Sequence, residues 1–148
     1  MTVGTIGIGR RALLCLAALG TLGLCAPAQV EAQAQRNFPE PREASWTARD
    51  FRFHTGEVMA ELKLHYRTIG EPSGEPVVVL HGTAGSGANM LGPGFAGQLF
   101  GPGQPLDAAR HFIILPDALG AGGSAKPSDG LRARFPRYNF DDMVQAQH

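Results

Sequence analysis

The sequence predicts an α/β fold whose parallel sheet has begun but not closed by residue 148, on three observations. Val77-Val78-Val79-Leu80 is apolar at every position and runs straight into His81-Gly82-Thr83-Ala84-Gly85. A second strand-then-glycine unit extends from His111 to Gly123, and a hairpin with period-2 alternation precedes both. A strand without polar alternates is usually covered on both faces, the habit of parallel strands flanked by helices, whereas an alternating hairpin keeps one face in water.

At the N-terminus, Arg10 and Arg11 precede an apolar segment from Ala12 to Cys25, and small residues stand at Ala26-Pro27-Ala28 and again at Ala32-Gln33-Ala34. This is the layout of an export signal peptide over residues 1–28, with cleavage after Ala28 or, alternatively, after Ala34. The 14-residue apolar segment is shorter than the roughly 20 residues of a spanning helix, so no stable membrane span is expected after cleavage. Arg10-Arg11 before Ala12-Leu13-Leu14 also fits a twin-arginine signal; Gly9 stands where Ser or Thr is usual, which keeps the ordinary secretory route open. The expected location is therefore periplasmic or secreted.

Both cysteines, Cys15 and Cys25, lie in this segment, so the mature chain is expected to have no disulfide, thiol nucleophile or thiolate metal site. Losing Arg10 and Arg11 takes 13 basic against 13 acidic residues to 11 against 13, a balance of −2. That gives no general attraction to nucleic acid or anionic membrane.

Residues 29–50 are polar, carry Pro39 and Pro41 and show no clear period, so they read as a leader ahead of a domain over 51–148. Phe51 and Phe53 then alternate with Arg52, and after His54-Thr55-Gly56-Glu57 a second alternation places Val58, Leu62, Leu64 and Tyr66 opposite Glu61, Lys63, His65 and Arg67. Gly70-Glu71-Pro72-Ser73-Gly74 is a turn before the apolar run. Residues 82–103 form a glycine-rich loop with a helical turn near Phe95 to Leu99, and the strand from His111 to Leu115 ends at Pro116-Asp117. After an irregular stretch from Ala118 to Tyr138, Asn139 caps a helix with Asp141 and Asp142 in its first turn and Phe140, Met143 and Val144 on one face. No stop signal follows before His148, which predicts truncation within that helix.

Acyl transfer through a tetrahedral intermediate needs preorganised N–H donors for the oxyanion. In Leu80-His81-Gly82-Thr83, a sharp turn at Gly82 directs the Thr83 N–H above the strand end; the bland alternative is an ordinary strand-to-loop turn. Two glycine patterns invite a dinucleotide reading. Gly92-Pro93-Gly94-Phe95-Ala96-Gly97 follows no strand, and after Gly120-Ala121-Gly122-Gly123-Ser124-Ala125 the run Lys126-Pro127-Ser128-Asp129-Gly130 stops the helix that would hold a pyrophosphate. His54, His65 and His111 have no spacing that gathers metal ligands, so neither a metal nor a cofactor is expected. Arg132, Arg134 and Arg137 read as a solvated loop face, and no nucleic-acid partner is expected.

Leu99-Phe100-Gly101-Pro102-Gly103-Gln104-Pro105-Leu106-Asp107, followed by His111-Phe112-Ile113-Ile114-Leu115-Pro116-Asp117-Ala118-Leu119-Gly120, resembles the homoserine O-acetyltransferase branch of the α/β-hydrolase superfamily. Asp141 to Gln147 resembles the helix that precedes the nucleophile strand there, and the hairpin from Phe51 to Gly70 has the same look. The resemblance implies the N-terminal half of an α/β-hydrolase fold, with Thr83 at the position of one backbone oxyanion donor. Family members often have Ala-Leu in place of Gly82-Thr83. It also implies a loop-bracing role for His81, a structural one for Asp117, and a serine nucleophile on a G-x-S-x-G elbow after the next strand, then the acid and the base. None of these three is present: of Ser45, Ser73, Ser86, Ser124 and Ser128, none has glycine on both sides at a distance of two.

The expectation is therefore a fragment of an exported serine-nucleophile hydrolase acting on a small ester or acyl substrate, inactive as it stands. The alternatives are a homoserine O-acetyltransferase-type fragment and, in another class, a non-catalytic exported binding protein or pseudoenzyme. In the superfamily's sheet the third strand lies between the fourth and fifth, so Val77 to Leu80 is expected to form a bare apolar edge here.

Overall fold

The structure, a computed structural model, describes residues 36–148; the predicted signal peptide, both its cleavage sites and both cysteines lie outside them. Four strands form one mixed sheet: β1 (Arg42–Arg52), β2 (Val58–Ile69), β3 (Glu75–Val78) and β4 (His111–Pro116), in the order β1-β2-β4-β3. β1 and β2 make an antiparallel hairpin, β4 joins β2 antiparallel, and β3 joins β4 in parallel. A short helix, α1 (Ala96–Leu99), lies between β3 and β4, and α2 (Phe140–Gln147) follows the loop after β4.

Strand pairing begins at Arg42, inside the stretch read from sequence as a leader. Its apolar period is hidden because Ala44 and Ala48 are small. Their cross-strand partners Tyr66 and Leu62, together with the Trp46–Leu64 pair, supply the apolar surface from the opposite strand. At the hairpin tip, Phe53 N–H donates to Glu57 C=O at 2.9 Å and Gly56 closes the turn at φ 86°.

Each face of the sheet carries a core. Ile69, Ile113 and Leu115 pack with Ala96 and Phe100, and with Phe38, whose ring meets that of Phe100 edge-on at 5.8 Å. Phe38 also lies within the supposed leader, so the domain extends N-terminal of residue 51. On the other face Leu62 packs with Phe51, Phe53, Leu119 and Phe135, and α2 adds Met143 and Ala146. Burying each such side chain contributes roughly 1.5–3 kcal/mol.

Three expectations change. Val79 N–H still bonds Ile114 C=O at 2.9 Å and Val79 packs on the first core, but Val78 and Leu80 are 57 % and 59 % exposed. The apolar run is thus covered on one face only, because α2 approaches the other without closing over it, and β3 stands at the edge of the sheet. The helix begins at Phe140 with Asn139 as its cap, yet Phe140 is 82 % exposed and Val144 also faces solvent; Met143 and Ala146 are the residues that pack. The polar face of β2 is divided: Glu61 and Lys63 are exposed, but His65 and Arg67 are turned inward onto Asp117.

Candidate active site

The loops after β3 and β4 meet around one carboxylate. Asp117, 2 % exposed at the end of β4, accepts the Gly87 N–H at 2.7 Å and the Arg67 Nη1 at 3.4 Å through Oδ1, and the Gly123 N–H at 2.7 Å and His65 Nδ1 at 2.8 Å through Oδ2. Burial pushes this carboxyl up, but the N–H groups of Gly123 and Gly87, with His65 and Arg67, outweigh that and hold it below the ordinary carboxylate range. The close approach requires glycine: a β-carbon on Gly122 would overlap the Asp117 carboxylate, and one on Gly123 would overlap the His65 ring. Ser124 completes the joint, its Oγ donating to Asp117 C=O at 2.6 Å and accepting the His65 N–H at 2.9 Å.

A second tie runs through His81. The Ala118 N–H donates to its Nε2 at 3.0 Å, so Nε2 carries no proton and Nδ1 donates to the Gly82 carbonyl at 2.8 Å. The same carbonyl accepts the Gly85 N–H at 3.0 Å. With its oxygen held twice and its peptide bond trans, the Gly82–Thr83 peptide plane is fixed, and the Thr83 N–H points away from the turn. That N–H makes no hydrogen bond to another described residue, and Thr83 lines a cleft of about 370 Å³. Ala118, Leu119, Ala121 and Met143 line the same cleft.

Gly82 contributes its carbonyl rather than conformational freedom. A β-carbon there would meet nothing within 4 Å and its φ is not positive; the left-handed residue of the turn is Ala84, at φ 61°. The left-handed residue of the turn is therefore two positions later than the sequence reading placed it.

Helix α2 is anchored at its first turn. Asn139 Oδ1 accepts the Asp142 N–H at 3.1 Å while Asp142 Oδ2 accepts the Asn139 N–H at 2.9 Å, a reciprocal capping box. Buried Asp142 also takes the His54 N–H at 2.8 Å and His54 Nδ1 at 2.6 Å, which ties the hairpin turn to the helix. Burial raises the Asp142 carboxyl, and the Asn139 and His54 donors more than reverse it, leaving it below its usual range.

Each of the scattered histidines is thus taken up locally: His54 by Asp142, His65 by Asp117, and His111 by the Asp107 carbonyl at 3.0 Å. Among the described residues no group of three His, Cys, Asp or Glu side chains is placed to hold a metal, and no helix is long and apolar enough to cross a membrane. The sequence reading missed the inward set of His65 and Arg67, which flank Tyr66 where it pairs with Pro116, the residue before Asp117.

No family model matches the chain. It is 32% identical over 133 residues to a homoserine O-acetyltransferase of Thermobifida fusca, a match covering 77% of this chain and 35% of that protein. It is 30% identical over 116 residues to a homoserine O-acetyltransferase of Methanohalophilus mahii, covering 66% of this chain and 24% of that one. Among solved structures, an acetylester hydrolase from Corynebacterium glutamicum superposes with a TM-score of 0.60 at 22% identity, over 72% of this chain and 31% of that chain. This chain therefore spans about a quarter to a third of the length of the curated relatives it matches.

Proposed function

We propose that this chain, which over its matched residues belongs to the homoserine O-acetyltransferase-like branch of the α/β-hydrolase superfamily, carries the oxyanion-binding part of a serine-nucleophile active site. The observation that supports this is the Thr83 N–H, held by the doubly bonded Gly82 carbonyl and left without a described partner on a residue that lines the cleft. A donor fixed in this way needs no reorganisation when negative charge develops on an ester oxygen. His81 braces the loop in its neutral form, and Asp117 holds the two loops together.

In the reaction a serine oxygen attacks a small ester or acyl carbonyl, the carbonyl oxygen takes the Thr83 N–H, and collapse releases the alcohol and leaves an acyl-enzyme. Nucleophile, acid and base are outside this sequence, so the 148-residue chain is proposed to turn over no ester. With the signal-peptide layout at residues 1–28, the reading is an exported hydrolase. The names of the matched relatives favour a second reading, O-acyl transfer, in which an acceptor hydroxyl replaces water.

The test is to express the complete reading frame and compare wild type, Thr83→Pro and Thr83→Ala. The reading expects wild type to hydrolyse a simple acetyl ester. Thr83→Pro, which deletes the N–H, should lose about 10²–10³ in kcat, and Thr83→Ala should retain it. Equal loss in both variants refutes the backbone role, and transfer from acetyl-CoA to homoserine in place of hydrolysis selects the second reading. A frame that stops at codon 148 and turns over no ester supports a non-catalytic binding protein.

A further inference from the structure

The cleft beside Thr83 is lined largely by apolar residues, and Tyr138 lines it as well. Its placement is constrained from three sides. The ring meets that of buried Phe135 edge-on at 6.0 Å and 79°. The next residue, Asn139, is locked in the capping box of α2. On the third side Oη packs onto the α-carbon of Gly120, so closely that any β-carbon there would overlap it. Gly120 has φ 87° and its N–H closes the loop on Ala125 C=O at 2.9 Å, so the loop after β4 meets this hydroxyl at a position that only glycine fits.

Tyr138 is 36 % exposed, so its hydroxyl, which can both donate and accept, is open to solvent or to a ligand in the cleft. Tyr138 Oη makes no hydrogen bond to another described residue, and neither does the Thr83 N–H on the same cleft. Of the other polar side chains on the lining, His81 has both ring nitrogens committed, and Thr83 adds its own hydroxyl. An apolar cleft with a small number of placed, uncommitted donors is what recognises a small ligand rich in acceptor oxygens.

We infer that Tyr138 is a substrate-contacting residue, its hydroxyl donating to an acceptor oxygen of a small ester other than the carbonyl oxygen assigned to Thr83. This rests on the proposed hydrolytic reading and adds to it a residue on a different loop. It predicts discrimination among substrates. Esters with a second acceptor oxygen near the carbonyl gain from Tyr138, and those without one do not.

The experiment is Tyr138→Phe in the protein made from the complete reading frame, assayed on a pair of acetyl esters that differ by one ether or hydroxyl oxygen, alongside thermal unfolding. Expected is a loss of about tenfold in kcat/KM, mostly in KM, for the oxygen-bearing ester only, with Tm unchanged. Equal kcat/KM for wild type and variant on both esters overturns the inference while leaving the Thr83 reading intact. A lowered Tm with equal losses on both esters assigns Tyr138 to structure and also overturns it. A wild-type protein without ester turnover refutes the hydrolytic reading itself, and the inference with it.

Discussion

At one border of the sheet β1 presents eleven residues in which charge recurs at Arg42, Glu43, Arg49, Asp50 and Arg52. Arg42 pairs with Glu71 at 3.3 Å, Glu43 with Arg67 at 2.8 Å and Arg49 with Glu61 at 3.5 Å. At the other border β3 has one charge, Glu75, and then only apolar side chains through Leu80. Unpaired strand edges template association, and charged side chains are what usually blunt them. β1 is thus built as a border and β3 as a junction. The apolar surface beside it, formed by Val78, Leu80 and Val144, points the same way.

The difference is open to attack from both sides. The largest effect is expected on β3: the 148-residue chain made alone should self-associate, and the double variant Val78→Lys, Leu80→Lys should raise the monomeric fraction several-fold in sedimentation velocity. Lysines placed on β1 at Ser45 and Thr47 should change little. Equal rescue from either edge would erase the contrast.

Next in size is the joint between the loops. In the soluble β3 background, Asp117→Ala strands four donors, Arg67 and His65 among them, and should cost about 3–5 kcal/mol in urea unfolding. The acid response follows from the same group and from Asp142. Both carboxyls lie below their ordinary value when folded, so the unfolded chain binds more protons as pH falls past about 3.9. Their contribution is complete above that pH and is lost as pH drops through the lowered folded values. Urea midpoints at pH 7 and pH 3 should therefore differ less in Asp117→Ala than in the parent, and an unchanged difference would remove Asp117 as a source.

Smallest is Arg49→Ala on β1. Its partner Glu61 and Arg49 itself are both largely in water, so the loss should stay within about 0.5 kcal/mol. A loss above about 2 kcal/mol would make β1 more than a solvated border.

Much of the fold was legible because burial leaves marks in residue order. Val77 to Leu80 and His111 to Leu115 announced their strands by uninterrupted apolarity, and Asn139 with Asp142 announced a helix start. The part of β1 before Phe51 was not legible, because its apolar contribution is two alanines and a tryptophan that matter only against Leu62, Leu64 and Tyr66 across the hairpin. The same holds at the site. Gly82 and Thr83 advertised a turn, but which peptide is fixed, and by what, depends on a hydrogen bond from Ala118 to His81 across a separation of 37 residues. His65 and Arg67 looked like a wet face because alternation records polarity and not whether a buried carboxylate stands opposite.

The His54–Asp142 tie spans 88 residues of chain, from the first hairpin to the first turn of the last helix. On the ribosome the hairpin emerges whole while its carboxylate is still unsynthesised. Closing so long a loop is entropically costly and is deferred until other pairings have shortened it. The bond is therefore expected to form late, after the strand pairings that shorten the chain between hairpin and helix.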